Sequence, residues 1–237
     1  MKLLYTTLVS ALLALTLAAG TPEQTTVPTA PTPALIEMDN SISYYLDSRD
    51  FATLSINSDI SLPGGIRVWG FTDLDGDQNG EPQEFNDFFM EYRALYSIPE
   101  ELTFGIKGLG LVTEYNNFNG SDNDLFRFGL AISHATELLG KKTCLQLRLM
   151  PYDDTSQNNQ QVSLSYCVAI TDKLSLTGFV DYNIIDDGTN QWVVEPQLAY
   201  KVTEAMDVLL EYRYNGFESD DPDLKGSGVA LGARYNF

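Results

Sequence analysis

With 237 residues, and 33 Asp and Glu against 14 Lys and Arg, the chain carries a formal charge of −19. That balance excludes a nucleic-acid binder, which needs a concentrated basic face, and a polybasic membrane-surface protein. The length fits one barrel or one to two globular domains, so the elements must decide.

The first element is a leader. Lys2 precedes an apolar stretch from Leu3 to about Ala19, which ends in Ala18, Ala19 and Gly20. Residues 1–20 therefore read as a secretory signal cleaved near Gly20, in preference to an anchored helix. No Cys lies near that point to accept a lipid. Residues 21–38 are rich in Thr and Pro and read as an extended periplasmic linker, with a plug as the alternative. No later segment reaches the roughly 20 apolar residues that a membrane helix needs. Closed strands are then the remaining way to satisfy every backbone group in lipid.

From about residue 40 the text alternates with a period of two. In 86–96, Phe88, Met90, Tyr92, Ala94 and Tyr96 oppose Asp87, Phe89, Glu91, Arg93 and Leu95. A strand over 102–112 places Leu102, Phe104, Ile106 and Val112 opposite Thr103 and Lys107. Next, Phe126, Phe128, Leu130 and Ile132 face away from Arg127, Ala131 and Ser133, and Leu145, Leu147 and Leu149 away from Cys144, Gln146 and Arg148. The scheme continues to the last strand, where Val229, Leu231, Ala233, Tyr235 and Phe237 oppose Gly228, Gly232, Arg234 and Asn236.

A soluble sandwich also alternates, so three further features decide for a membrane barrel. Charges keep to one face. Tyr and Trp gather near strand ends on the apolar face, as at Tyr96, Trp192, Tyr200 and Tyr214. Short links near Pro99, 171–173 and 203–205 alternate with longer polar ones at 73–84, 116–123, 152–160, 184–190 and 216–225. Short periplasmic turns and longer external loops are the expected pattern. The fold class is thus all-β: a transmembrane antiparallel β-barrel over 39–237, monomeric. Counting back from a last strand that ends in the periplasm gives twelve strands, or ten if 41–60 does not insert.

The inward faces are read to carry Arg67, Arg93, Lys107, Arg127, Arg148, Lys201, Arg213 and Arg234. Against these stand Asp73, Asp87, Glu91, Asp181, Glu195, Asp207 and Glu211, close to balance. The excess acid then belongs to external loops: Asp75, Asp77, Glu81 and Glu84, Asp153 and Asp154, and Glu218 through Asp223. A mixed-sign lumen holds a water column and selects solutes, unless its charges pair across strands and close it. Both outcomes stay open from sequence. The segments GFTD (Gly70–Asp73) and GFVD (Gly178–Asp181) each set a Phe and an Asp inward, near the external mouth. A ring plus an acceptor suits an amphipathic solute; the plainer reading is strand residues at a barrel rim.

The segments IRVWGFTD (66–73), NDFFMEYRALYSI (86–98), LTGFVDYN (176–183) and GSGVALGARYNF (226–237) resemble the nucleoside-specific, channel-forming (Tsx-like) outer-membrane family. The resemblance runs in order over about 40–237. It implies a twelve-stranded monomeric channel with a narrow, aromatic-lined pore for nucleosides. The positions it carries over are Trp69, Phe71, Asp73, Phe179 and Asp181.

Other chemistry is thinner. Residues 73–84 space Asp73, Asp75, Asp77 and Glu84 like a calcium loop, yet Gln78 stands where the sharp turn wants Gly. An exposed acidic loop, bridging to lipopolysaccharide phosphates through divalent ions, is the simpler reading. His134, the one histidine, has no Ser-centred nucleophile motif beside it, and Ser133 points the other way. No cofactor is expected. The functional expectation is an outer-membrane channel for passive uptake of small polar solutes, with nucleosides the first candidate on the resemblance. The alternatives are a non-conducting structural or adhesive barrel and a lipid-modifying enzyme. Expected partners are outer-membrane lipids and lipopolysaccharide, a small polar solute, and the barrel-assembly machinery through the C-terminal strand.

Cys144 and Cys167 fall inward on neighbouring strands, equidistant from the loop between them. A simple hairpin sets them opposite each other at disulfide spacing, in an oxidising compartment. Mass spectrometry of the folded protein is expected to show alkylation of both only after reduction; alkylation without reductant would contradict the pairing.

Overall fold

The computed structural model describes residues 36–78, 85–119, 124–138, 140–154, 159–186, 188–217 and 226–237. The expected signal peptide and most of the linker lie outside these. Twelve strands follow in chain order: β1 (Glu37–Asp47), β2 (Phe51–Leu62), β3 (Ile66–Asp77), β4 (Phe85–Ser97), β5 (Leu109–Phe118) and β6 (Leu125–Leu138), then β7 (Lys141–Asp153), β8 (Gln160–Ala169), β9 (Leu174–Ile184), β10 (Gln191–Lys201), β11 (Met206–Asn215) and β12 (Gly226–Asn236). Each pairs antiparallel with its neighbours, and β1 with β12 closes the barrel through Ser41↔Asn236 to Asp47↔Ala230. The count is twelve because β1 and β2 complete the ring.

Closure leaves no sheet edge, so strand backbone groups find partners without water. The register then fixes which side chains meet lipid. Along the outward row, Ile42, Ile56, Leu130, Leu198, Leu210 and Leu231 lie exposed. Among the described residues, the outward positions of the paired strands carry no Asp, Glu, Lys or Arg except Lys141, at the end of β7. Exposed aromatics rim both ends: Tyr96, Tyr200 and Tyr235 where the chain ends and short turns lie (the turn end), Tyr152, Trp192 and Tyr214 at the opposite, loop end. Phe237 joins the first rim, stacked on Tyr235 at 6.1 Å.

Several boundaries differ from the sequence reading. β1 starts at Glu37, inside the stretch read as linker, and reaches β2 through the tight link 48–50, which the long-loop pattern does not anticipate. β3 continues to Asp77, opposite Phe51, so the link to β4 starts at residue 78 rather than 73. β6 runs to Leu138 and β7 starts at Lys141, so the link between them is short.

The strand expected over 102–112 is the largest correction. Glu100–Leu102 is one turn of 3-10 helix, and β5 begins only at Leu109. In between, Phe104, Gly105 and Gly108 have φ of 53°, 86° and 71°, which an extended strand cannot use. Gly108 is also pressed against β6: its carbonyl accepts from the Ser133 amide at 2.9 Å, and a Cβ there would sit 1.9 Å from the Ser133 oxygen. The break resets parity. Val112 turns inward, 2% exposed, and Lys107 is exposed on the link instead of lining the lumen.

A bulge acts similarly on β7. Phe128 pairs with Tyr152 but Leu130 with Leu149, so Met150 and Pro151 face Gly129 alone. Both Met150 and Asp153 thereby end up inward and buried. Placing a charge on the outer row at mid-depth is expected to destabilise the barrel: Leu210→Arg should lower the unfolding free energy in lipid vesicles by about 2–4 kcal/mol, measured by denaturant titration.

Candidate functional site in the barrel lumen

Inward parity gathers charges that lipid would refuse, and the lumen must pair them. Toward the loop end they form a layer. Across β4, β5 and β6, Arg93 Nε donates to Glu114 Oε2 at 2.7 Å and Arg127 Nη1 to Glu114 Oε1 at 2.7 Å. Arg93 also pairs with Glu91. Glu114 is 1% exposed. Across β7, β8 and β9, the Arg148 guanidinium donates to Gln146 (3.0 Å), Ser165 (2.8 Å) and Ser163, and Ser163 in turn donates to Asp181. Arg148 is as buried as Glu114.

The third sector joins the last strands to the first. Arg213 pairs with Glu211, lies 3.8 Å from Asp47, and donates to Thr53 Oγ1 at 3.2 Å. Arg49 also holds Asp47, at 2.8 Å. Gln78 clamps the 48–50 link by donating to the Asp47 and Phe51 carbonyls at 2.6 and 2.7 Å.

On the turn side of this layer lies a cavity of about 830 Å³. Arg93, Arg148, Arg213 and Glu211 reach its wall, whereas Glu114, Asp181 and Asp47 do not. Its lining includes the aromatic rings of Tyr45, Trp69, Phe71, Tyr166 and Phe179, beside the aliphatic Leu95, Val112 and Leu145. Trp69 and Phe71 meet edge-on at 5.5 Å, and the ribbon continues toward the loop end through Phe89 and Phe118 at 5.5 and 4.6 Å. Guanidinium groups cover two of the rings, Arg93 over Trp69 and Arg213 over Tyr45, each at 4.9 Å. Nearer the turns, Arg67 Nε binds Asp59 at 2.7 Å and Arg234 binds Asp207 at 2.8 Å.

These positions sort the expected site residues. Arg67, Trp69, Phe71, Asp73, Arg93, Arg148, Phe179, Glu211 and Arg213 share the cavity wall. Glu91, Arg127 and Asp181 belong to the layer instead, and Lys107 lies outside both. The two Phe–Asp segments are not at the external mouth. Phe71 and Phe179 stand mid-strand, opposite Asn57 and Glu195, and only the first segment brings its Asp to the cavity. The calcium-loop spacing does not form a loop: Asp73, Asp75 and Asp77 alternate along β3, where such residues stand about 6–7 Å apart. Asp75 accepts from Thr53 at 2.6 Å, Glu84 lies outside the described residues, and no group of three ligating side chains occurs among those described.

Sequence reading missed Asp47, Asp59 and Glu114, and placed Asp75, Asp77 and Asp153 in loops. All six face inward. Alternation on β1 and β2 could have found Asp47 and Asp59; the break at 103–108 concealed Glu114, the β7 bulge Asp153, and the unexpected length of β3 Asp75 and Asp77. The lumen is therefore more acidic than the near balance read from sequence. Cys144 and Cys167 pair directly, with Cα atoms 5.0 Å apart and their sulfurs joined. His134 sits on the outward row while Ser133 accepts from Gln146 at 3.0 Å inside, so Ser133 and His134 do not share a face.

No protein-family model and no curated protein matches the chain. Solved structures do match. The KdgM porin in complex with disordered oligogalacturonate aligns with a TM-score of 0.52 at 11% identity, covering 84% of this chain and 99% of that one. The NanC porin aligns with a TM-score of 0.51 at 9% identity over the same shares. At such identities the likeness establishes the fold, that of outer-membrane porins. Since Glu114 is the shared acceptor of two buried arginines, Glu114→Ala is expected to lower unfolding free energy by about 3–5 kcal/mol, checked by denaturant titration in vesicles.

Proposed function

We propose that this chain is an outer-membrane channel for passive uptake of small polar solutes, with nucleosides as the first candidates. The observation that carries the reading is the cavity of about 830 Å³, within the range of small-molecule sites, lined by Trp69, Phe71 and Phe179 beside charged groups. Rings offer stacking faces to a base, and the flanking carboxylates and guanidinium groups offer hydrogen bonds to a sugar. The resemblance to the Tsx-like family, at Trp69, Phe71, Asp73, Phe179 and Asp181, supports nucleosides; the porin fold shared with KdgM and NanC supports a channel of some kind. Asp181 contributes from the layer, by holding Ser163 and Arg148.

In this reading the turn end is periplasmic, the exposed aromatic rims sit in the headgroup regions, and β12 is the strand offered to the assembly machinery. Acidic external segments would meet lipopolysaccharide through divalent ions.

One observation favours a second reading, a non-conducting barrel: the layer around Glu114 and Arg148 is as buried as a protein core. Planar-bilayer recording of heat-modifiable, folded protein separates the two. The channel reading expects discrete conductance steps, blocked by adenosine or uridine and unaffected by glucose. Absence of any step would favour the closed barrel; block by glucose and nucleosides alike would remove the nucleoside preference.

A further inference from the structure

The lumen holds more carboxylates than arginines to pair them. Arg67 is matched by Asp59, Arg93 by Glu91 and Glu114, Arg148 by Asp181, Arg213 by Glu211 and Asp47, and Arg234 by Asp207. Three carboxylates on the wall of the same cavity stand outside these pairs: Asp39, which is exposed, and Asp73 and Glu195, which are half-buried. Asp73 makes no ion pair among the described residues; Ser55 hydrogen-bonds to its carboxylate, and its Oδ1 is buried with no donor. The Glu195 side chain makes neither a hydrogen bond nor an ion pair among the described residues. Both feel the same arginine, Arg213, which Glu211 already holds, and they feel each other. Glu195 lies directly opposite Phe179, and Asp73 is two residues beyond Phe71 on the same face.

A carboxylate removed from bulk water without a partner is unfavourable until a counter-charge arrives. The surroundings indicate what kind. A metal ion would need a ligand cluster, and no group of three ligating side chains is present among the described residues. An anion would have to displace a carboxylate from an arginine and then face two unpaired acids. Aromatic faces beside acids attract weakly hydrated organic cations.

We propose that this cavity binds an organic ammonium ion, its charge held by Asp73 and Glu195 and its carbon frame packed against Phe71 and Phe179. Amine-bearing solutes are then a second class of cargo, beside the neutral nucleosides proposed above. The inference rests on the lumen being a solute pathway, but the binding site can be tested without conduction.

Trp69 is on the cavity wall and Trp192 faces outward, so Trp192→Phe leaves a single reporter inside. Folded, heat-modifiable protein in detergent, in mildly alkaline buffer, is titrated with choline and putrescine, and in parallel with galacturonate and glucose. Saturable changes in Trp69 emission are expected with both amines and neither of the others. Asp73→Asn with Glu195→Gln should weaken amine binding by at least about tenfold. A control pair at exposed acids outside the cavity, Glu101→Gln with Glu204→Gln, should leave it unchanged. If the double variant fails to fold, Glu195→Gln alone carries the comparison, with weaker amine binding again expected. Unchanged emission with both amines, tighter binding of galacturonate, or amine binding indifferent to the carboxylate substitutions would overturn the site. Reversal potentials in a potassium chloride gradient separate the two claims. Cation preference lost in the double variant supports both, and anion preference leaves the channel but removes the site. Amine binding without conductance leaves the site but removes the channel.

Discussion

An alkyl environment accepts neither a charge nor an unpaired amide, and this chain meets both demands with a single device, strict alternation on a closed ring of strands. Pairing β1 with β12 satisfies the last backbone edges, while the two-residue period sends Leu198, Leu210 and Leu231 outward and Arg213, Arg234 and Glu211 inward. What would be a burial problem at twelve separate strands becomes one shared problem inside the lumen. There the charges pair laterally, as Arg93, Glu114 and Arg127 do across three successive strands.

The same device divides the interior by depth. Toward the loops, long side chains from neighbouring strands meet, with Glu114 and Arg148 among the most buried groups of the molecule. Toward the turns, small residues such as Ser41, Ser43, Ser55 and Ser133 leave room, and the cavity opens. Aromatic rings lie along its wall because β3 places Trp69 and Phe71 at alternate positions on the inner face. From the turn side inward, the order is the Arg67–Asp59 and Arg234–Asp207 pairs, the rings, and then the buried ion-pair layer.

Much of this was legible in the sequence. The Leu145, Leu147, Leu149 row and the closing strand to Phe237 alternate without interruption, so their faces and the strand parity could be read directly. The stretch from Leu102 to Ile106 imitates that alternation, yet a positive φ at Phe104 and the contact of Gly108 with Ser133 break it. Neither is written in hydropathy. Bulges are equally silent: two residues facing Gly129 turned Asp153 inward. Depth was the least legible quantity, because the level at which Phe71 or Asp181 sits depends on the stagger between strands around the whole ring. Phe–Asp segments expected at the mouth therefore lie in the middle, and charges expected in loops line the lumen.

The division between a lipid-facing and a lumen-facing row is the claim on which the layer, the cavity and its chemistry all depend. Two tryptophans fall on opposite sides of it, Trp69 inside and Trp192 outside. Fluorescence quenching of the Trp69→Phe and Trp192→Phe proteins in vesicles of brominated lipid tests it most directly. The account predicts that bromolipid quenches Trp192 strongly and leaves Trp69 nearly untouched, while aqueous acrylamide reaches Trp69. Strong bromolipid quenching of Trp69 would contradict it.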